Sequence, residues 1–81
     1  MKKDEIFKQL HMVFQDVFDN EHIIITESTA AEHIAEWDSL MHITLISAVE
    51  DEFQVKFSMQ EIMDMKNVGE MMALIEQKMG N

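Results

Sequence analysis

Residues 37–53 read WDSLMHITLISAVEDEF, and the spacing of their apolar side chains decides the fold. On a helix, which turns about 100° per residue, four of these side chains fall within an arc of about 100°. They are Leu45, Ile46, Val49 and Phe53. The spacing therefore predicts a helix from about Ser39 to Phe53 that buries this face in a core.

A different side of the same predicted helix carries a mixed polar and apolar set. Ser39, Ile43, Ser47 and Glu50 lie there, with Leu40 and Asp51 at its edge. We expect Ser39 to face solvent at the start of the helix. Single exposed apolar residues are common on protein surfaces, but the position of Leu40 and Ile43 beside Ser39 favours a docking patch.

The rest of the chain predicts three more helices. The first runs from about residue 4 to 18, where Ile6, Leu10, Val13 and Val17 recur at helical spacing together with Phe7, Phe14 and Phe18. A short third helix is predicted from Ser58 to about Met65, opened by the capping-box pattern of Ser58 and Glu61. A fourth helix is capped by Asn67 and ended by Gly80.

Between the first two helices lies a connection of about twenty residues, which is long for a small domain. Ile23–Ile25 can fix this loop to the core, although a short buried strand has the same sequence. Thr29–Glu32 has the form of a capping box and predicts one helical turn within the loop. Ile34 and Trp37 are further candidate anchors.

Length and composition predict a single domain over residues 1–81, built around one core. There is no cysteine, which excludes disulfides and cysteine-based zinc sites. No segment has the roughly 18 consecutive apolar residues that span a bilayer, and the N-terminal residues turn acidic where a signal peptide is apolar. We expect a cytoplasmic protein that does not insert into membranes.

The charge of the chain is strongly negative, with a formal net charge of -10. No lysine or arginine occurs from Gln9 to Val55, a span that contains most of the carboxylates. Such a surface repels phosphate backbones and anionic lipids, which argues against nucleic-acid binding and membrane adsorption. Basic protein surfaces are the expected partners, although acidity can also serve solubility alone.

Ser39 lacks an evident catalytic base. Four histidines are available, His11, His22, His33 and His42, but only His42 is close in sequence, and it projects toward the buried arc of the helix. A catalytic triad is therefore not expected, and the histidines show no close metal-binding spacing. A serine without a base is a poor nucleophile but a good acceptor for a group that another enzyme delivers. Alternatively, Asp38 and Ser39 simply cap the helix.

Three features together resemble the acyl carrier and peptidyl carrier protein family over nearly the whole chain. They are Asp38-Ser39-Leu40 at a helix start, the acidic run that ends in Phe53, and the Val68-Gly69 pair. The resemblance implies an all-α four-helix bundle with three longer helices, a short third helix and a long loop between helices 1 and 2. It also implies that 4′-phosphopantetheine esterifies Ser39, and that Asp38 helps the transferase to hold its divalent metal.

The resemblance further implies a carrier, not an enzyme, that holds acyl, aminoacyl or peptidyl groups as a thioester. Its partners would be a phosphopantetheinyl transferase, acyl- or aminoacyl-loading enzymes and downstream biosynthetic enzymes, and we expect a monomer. Docking is expected through Leu40, Ile43, Ser47, Glu50 and Asp51. With Trp37 before Asp38 and a neutral residue at Thr44, the chain resembles stand-alone carriers of specialised pathways, including aminoacyl and D-alanyl carriers, more than fatty-acid carriers. The alternative is an unmodified acidic helical adaptor that binds a basic protein.

Overall fold

A computed structural model describes residues 2–80, and their regular structure is helical throughout. Four α-helices follow one another: α1 (Lys3–Val17), α2 (Ser39–Phe53), α3 (Met59–Asp64) and α4 (Val68–Lys78), with a 3-10 turn at Ala31–His33. No strand occurs among the described residues. The predicted all-α class and the predicted helix order are confirmed, with a short third helix and a long first loop.

The core lies between α1, α2 and α4, because α1 packs against both of the other helices. The predicted inner face of α2 is buried as expected, and α1 and α4 contribute the remaining fully buried side chains. Across the three helices the largest fully buried side chains are Ile6, Leu10, Phe14, Leu45, Val49, Val68, Met71 and Ile75. Burial of an apolar face on each long helix is the main stabilising contribution to such a small fold.

Alternate residues fix the long loop to this core. Ile23 and Ile25 are buried, whereas Ile24 between them is 81% exposed. The side chain of His11 in α1 adds a hydrogen bond, with 2.8 Å between its Nε2 and the carbonyl oxygen of Ile23. The predicted anchoring role of Ile23–Ile25 therefore holds for two of the three residues, and the alternative of a buried strand is wrong.

The single turn predicted inside the loop is present, but its predicted cap is wrong. The Thr29 hydroxyl does not cap the turn and instead accepts a hydrogen bond from the Thr26 amide at 2.8 Å. The amide of Ala30 donates to Nδ1 of His33 at 3.0 Å, so a histidine takes the place expected for Glu32. Threonine hydroxyls often bond to nearby backbone in this way, which competes with helix capping.

The loop also contacts the start of α4. The amide of Val68 donates to the carbonyl of Thr29 at 2.9 Å, and the amide of Gly69 donates to the carbonyl of Glu27 at 2.7 Å. A Cβ atom on residue 69 would lie only 3.0 Å from that same Glu27 oxygen. The close approach of the two backbones explains why the position holds glycine.

The predicted caps of the two last helices are confirmed, and α3 ends at Asp64, one residue earlier than expected. The Ser58 hydroxyl accepts from the Glu61 amide, the Glu61 carboxylate accepts from the Ser58 amide, and Asn67 caps α4. Glu61 also lies 2.9 Å from Nζ of Lys78 in α4. The hydrogen bond from the Ser58 amide, together with Lys78, lowers the pKa of the Glu61 carboxyl.

Candidate functional site

The start of α2 presents an exposed hydroxyl next to a capped helix end. Asp38 has an extended backbone, and its Oδ1 accepts a hydrogen bond from the Met41 amide at 2.9 Å. Ser39 is the first residue of the helix and is exposed. Asp38 therefore supplies the cap, so the Ser39 hydroxyl is not needed for it. Capping by Asp38 and group attachment at Ser39 are compatible.

This end of α2 is suited to an anion. The first amides of an α-helix have no partner within the helix, and the helix dipole places partial positive charge there. One of these amides donates a hydrogen bond to a single carboxylate oxygen of Asp38. A phosphodiester on Ser39 would lie beside the others, in the arrangement that helix N-termini use for phosphate groups.

Trp37 anchors this segment to the core. Its side chain is 5% exposed and meets the Phe14 ring edge-on, with 5.2 Å between the ring centroids. The Phe18 ring lies 6.4 Å away. The residue two positions before Ser39 is thus packed against α1, which fixes the place of the exposed hydroxyl relative to the bundle.

The described residues contain no hydrogen bond between a histidine and Ser39. His42 is turned away, because its Nδ1 accepts from Nε1 of Trp37 at 3.1 Å and its Nε2 lies 3.0 Å from the carbonyl oxygen of Ile62. Both ring nitrogens are therefore engaged. Within residues 2–80, no three histidine or carboxylate side chains are grouped as metal ligands.

An open cleft lies beside Ser39, between the start of α2 and α3. Five of its nine lining residues are apolar, and the other four are an aspartate, a serine, a histidine and a lysine. The lining residues are Ala31, Trp37, Asp38, Ser39, His42, Ile62, Met63, Met65 and Lys66.

The predicted docking residues of α2 are mostly exposed, with one correction. Leu40 is 75% exposed and Ile43 is 51% exposed, and Ser47 and Asp51 are also open to solvent. Glu50, however, is only half-exposed, because its Oε2 accepts a hydrogen bond from the Phe57 amide at 2.9 Å. Its carboxylate therefore orders the α2–α3 link and is not wholly free for a partner.

The sequence interpretation did not single out two exposed methionines on α3. Met59 is 65% exposed and Met63 is 72% exposed. They are four residues apart and so share one face of α3. Helical phase places Met63 about 100° from the inward residue Ile62 but Met59 only about 60° from it, so phase alone would have identified the exposure of Met63 more clearly than that of Met59.

Comparison with known proteins decides the family. The sequence pattern of the family described as "Phosphopantetheine attachment site" matches residues 8–75, which is most of the chain. The chain belongs to this family. The carrier is also similar to the holo acyl carrier protein from Geobacter metallireducens, whose structure was solved by solution NMR. The two are 38% identical with a TM-score of 0.83, over 89% of this chain and 83% of the other. No curated protein sequence matches.

Membership of this family confirms the predicted class: the protein is a carrier of intermediates and not an enzyme itself, and its cofactor is covalently attached 4′-phosphopantetheine. The exposed hydroxyl at a helix N-terminus fits such a phosphodiester. A family of this kind interacts with phosphopantetheinyl transferases and biosynthetic enzymes. None of the helices within residues 2–80 has the length and apolar character to cross a membrane. These results give no support to the unmodified adaptor.

Proposed function

We propose that Ser39 receives the 4′-phosphopantetheine group and that the carrier holds acyl, aminoacyl or peptidyl groups as a thioester on the end of that arm. One observation carries the proposal: Ser39 is the exposed first residue of α2, next to an aspartate that already caps the helix. The chain has no cysteine, so the thiol of the thioester must belong to the arm.

The attachment step is a phosphoryl transfer from coenzyme A. The Ser39 oxygen forms a bond to the phosphorus atom next to pantetheine, the pyrophosphate bond of coenzyme A breaks, and adenosine 3′,5′-bisphosphate leaves. A base of the transferase takes the hydroxyl proton, because no histidine of the carrier is hydrogen-bonded to Ser39 among the described residues. The carrier contributes an exposed Ser39 hydroxyl in a fixed position.

The direct test is to incubate the carrier with coenzyme A, magnesium and a broad-specificity phosphopantetheinyl transferase. Intact-protein mass spectrometry should show a gain of one phosphopantetheinyl group, and peptide fragmentation should place it on Ser39. A carrier that several transferases leave unmodified, or that is modified on another residue, would refute the proposal.

Asp38 has a proposed second role, as a contact for the divalent metal of the transferase. Asp38→Asn should slow attachment at least about tenfold, because a charge-assisted contact is worth roughly 1.5–3 kcal/mol. The helix cap should survive, since asparagine caps about as well as aspartate. Attachment rates and melting temperatures of the two proteins would separate these roles.

In the matched control, Asp16→Asn removes the same charge from an exposed position on α1, outside the proposed partner surface. Loss of rate in that variant alone, or an unchanged rate in Asp38→Asn, would contradict the proposed role of Asp38.

A partner surface on α2 is part of the same proposal, formed by Leu40, Ile43, Ser47 and Asp51 with a lesser share for Glu50. Ile43→Glu should slow attachment about tenfold by placing a charge in the apolar contact, with little effect on folding because Ile43 is half-exposed. Asp51→Lys should slow it mostly at low salt, because long-range attraction to a basic partner is screened by ions. Rates measured from low to high salt test both expectations.

Glu50 needs a separate design because its carboxylate also binds the Phe57 amide. Glu50→Gln keeps an acceptor oxygen for this hydrogen bond while removing the charge, so it isolates the electrostatic share. Met12→Glu on α1 is a control, since Met12 is 62% exposed but lies on another helix. Equal rates for Ile43→Glu, Asp51→Lys and Met12→Glu at every salt concentration would show that α2 is not the docking surface.

A further inference from the structure

His42 connects two parts of the molecule that border the cleft beside Ser39. One ring nitrogen accepts a hydrogen bond from the indole of Trp37, and the other lies 3.0 Å from the carbonyl oxygen of Ile62 in α3. The imidazole also stacks on the indole, with 5.9 Å between the ring centroids and 28° between the planes. All three residues line the cleft.

The two partners determine the form of the imidazole. An indole nitrogen can only donate a hydrogen bond, so Nδ1 of His42 must be unprotonated to accept it. A backbone carbonyl can only accept, so Nε2 must carry the proton. The structure therefore requires the neutral Nε2–H form of His42.

This pair of hydrogen bonds matters because α3 is otherwise held weakly. α3 has six residues and no fully buried side chain, with Ile62 only half-buried. It is otherwise held by the packing of Ile62 against the core, by the Ser58 capping box at its own start and by the Glu61–Lys78 ion pair to α4. Elements with few buried contacts are the first to open locally. Trp37, in contrast, is packed firmly on Phe14.

We propose that His42 is a positioning residue that clamps α3 to Trp37 and so keeps the surface around Ser39 in the arrangement that the attaching transferase binds. The proposal rests on the proposed attachment at Ser39. His42 itself touches neither the hydroxyl nor the arriving group. Its effect is to raise the fraction of carrier molecules whose attachment surface is ready for binding.

The kinetic consequence is specific. When only a fraction of molecules is competent to bind, the apparent affinity falls by that fraction, while the bound complex reacts as before. Loss of the clamp should therefore raise the KM for the carrier and leave kcat nearly unchanged. Since a hydrogen bond contributes roughly 0.5–1.5 kcal/mol, we expect KM to rise about 3- to 10-fold when one bond is lost and about 10- to 100-fold when both are lost.

Two substitutions at His42 separate the contributions of its two hydrogen bonds. Asparagine can place an acceptor oxygen near the position of Nδ1, so His42→Asn keeps the bond to Trp37 and loses the bond to Ile62. Glutamine can place a donor nitrogen near the position of Nε2, so His42→Gln does the reverse. His42→Leu loses both. KM should rise most in the leucine variant and less in the other two.

NMR of the unmodified carrier tests the clamp without any transferase. The chain has one tryptophan, so its indole N–H gives a single resonance that needs no further assignment. Nitrogen shifts of His42 should show the Nε2–H form. Indole hydrogen exchange should speed up about 3- to 10-fold in His42→Gln and stay close to wild type in His42→Asn. His22→Gln, at an exposed position outside the cleft lining, is the control and should change neither exchange nor KM.

The outcomes separate the two proposals. An Nδ1–H form in the wild type, or a His42→Leu carrier whose KM stays within twofold of wild type, would overturn the clamp. A fall in kcat at constant KM would also overturn it, because it would indicate a part in the chemical step. A wild type that no transferase modifies would refute attachment at Ser39 and with it the effect on KM, whereas indole exchange would still decide whether the clamp exists.

Discussion

Replacing Ser39 with alanine should abolish attachment of phosphopantetheine completely, because the variant has no oxygen at the position where the phosphoester forms. The wild type should gain one group when incubated with coenzyme A, magnesium and transferase, and Ser39→Ala should keep its original mass. Intact-protein mass spectrometry measures both results. The variant should fold normally, since the cap of α2 comes from Asp38 and not from Ser39.

Ser47→Ala is the matched control for this experiment. Ser47 is also an exposed serine on α2, eight residues further along the helix. It does not lie at the helix N-terminus, and no aspartate precedes it. The variant should still gain one phosphopantetheinyl group, because Ser39 is intact; any slowing would reflect the place of Ser47 in the proposed partner surface. Modification of Ser39→Ala, or loss of modification in Ser47→Ala, would place the attachment site elsewhere. A melting temperature within a few degrees of wild type would exclude unfolding as the cause.

Sequence patterns predicted well those features that depend on neighbours along the chain. The inner face of α2 follows from helical phase alone, so Leu45 and Val49 were placed correctly. The Ser58 and Asn67 caps depend on residues three positions away, and both form as predicted. The exposed position of Ser39 also depends only on local sequence, because it follows from where α2 starts and from the helical phase of Ser39.

Features that depend on distant partners were not predictable in this way. Glu50 has the phase of an exposed residue, but its carboxylate meets an amide in the following link. The two hydrogen bonds of His42 include one to a carbonyl twenty residues away. The three consecutive isoleucines at 23–25 show no alternation of apolar and polar residues, so the sequence could not show that Ile24 alone would be exposed. Thr29 failed as a cap because its hydroxyl accepts a hydrogen bond from the Thr26 amide instead.

Replacing Trp37 with alanine should cause the largest loss of stability among residues of the 37–40 segment. The change removes ring contacts with Phe14 and Phe18 and leaves a cavity in the core. Truncation of a buried aromatic residue costs about 3–5 kcal/mol, whereas a whole domain is stable by only about 5–15 kcal/mol. The melting temperature should fall by at least about 12 °C, which circular dichroism during heating would measure.

Leu40→Ala distinguishes this effect from a general loss of apolar surface. Leu40 lies three residues after Trp37 but is 75% exposed, so its truncation should change the free energy of unfolding by no more than about 0.5 kcal/mol. Leu40→Ala should instead slow attachment by the transferase, since Leu40 belongs to the proposed partner surface. Trp37→Phe should lie between the two in stability, because it keeps an aromatic ring and loses the hydrogen bond to His42. Equal melting temperatures for Trp37→Ala and Leu40→Ala would contradict the anchoring role of Trp37.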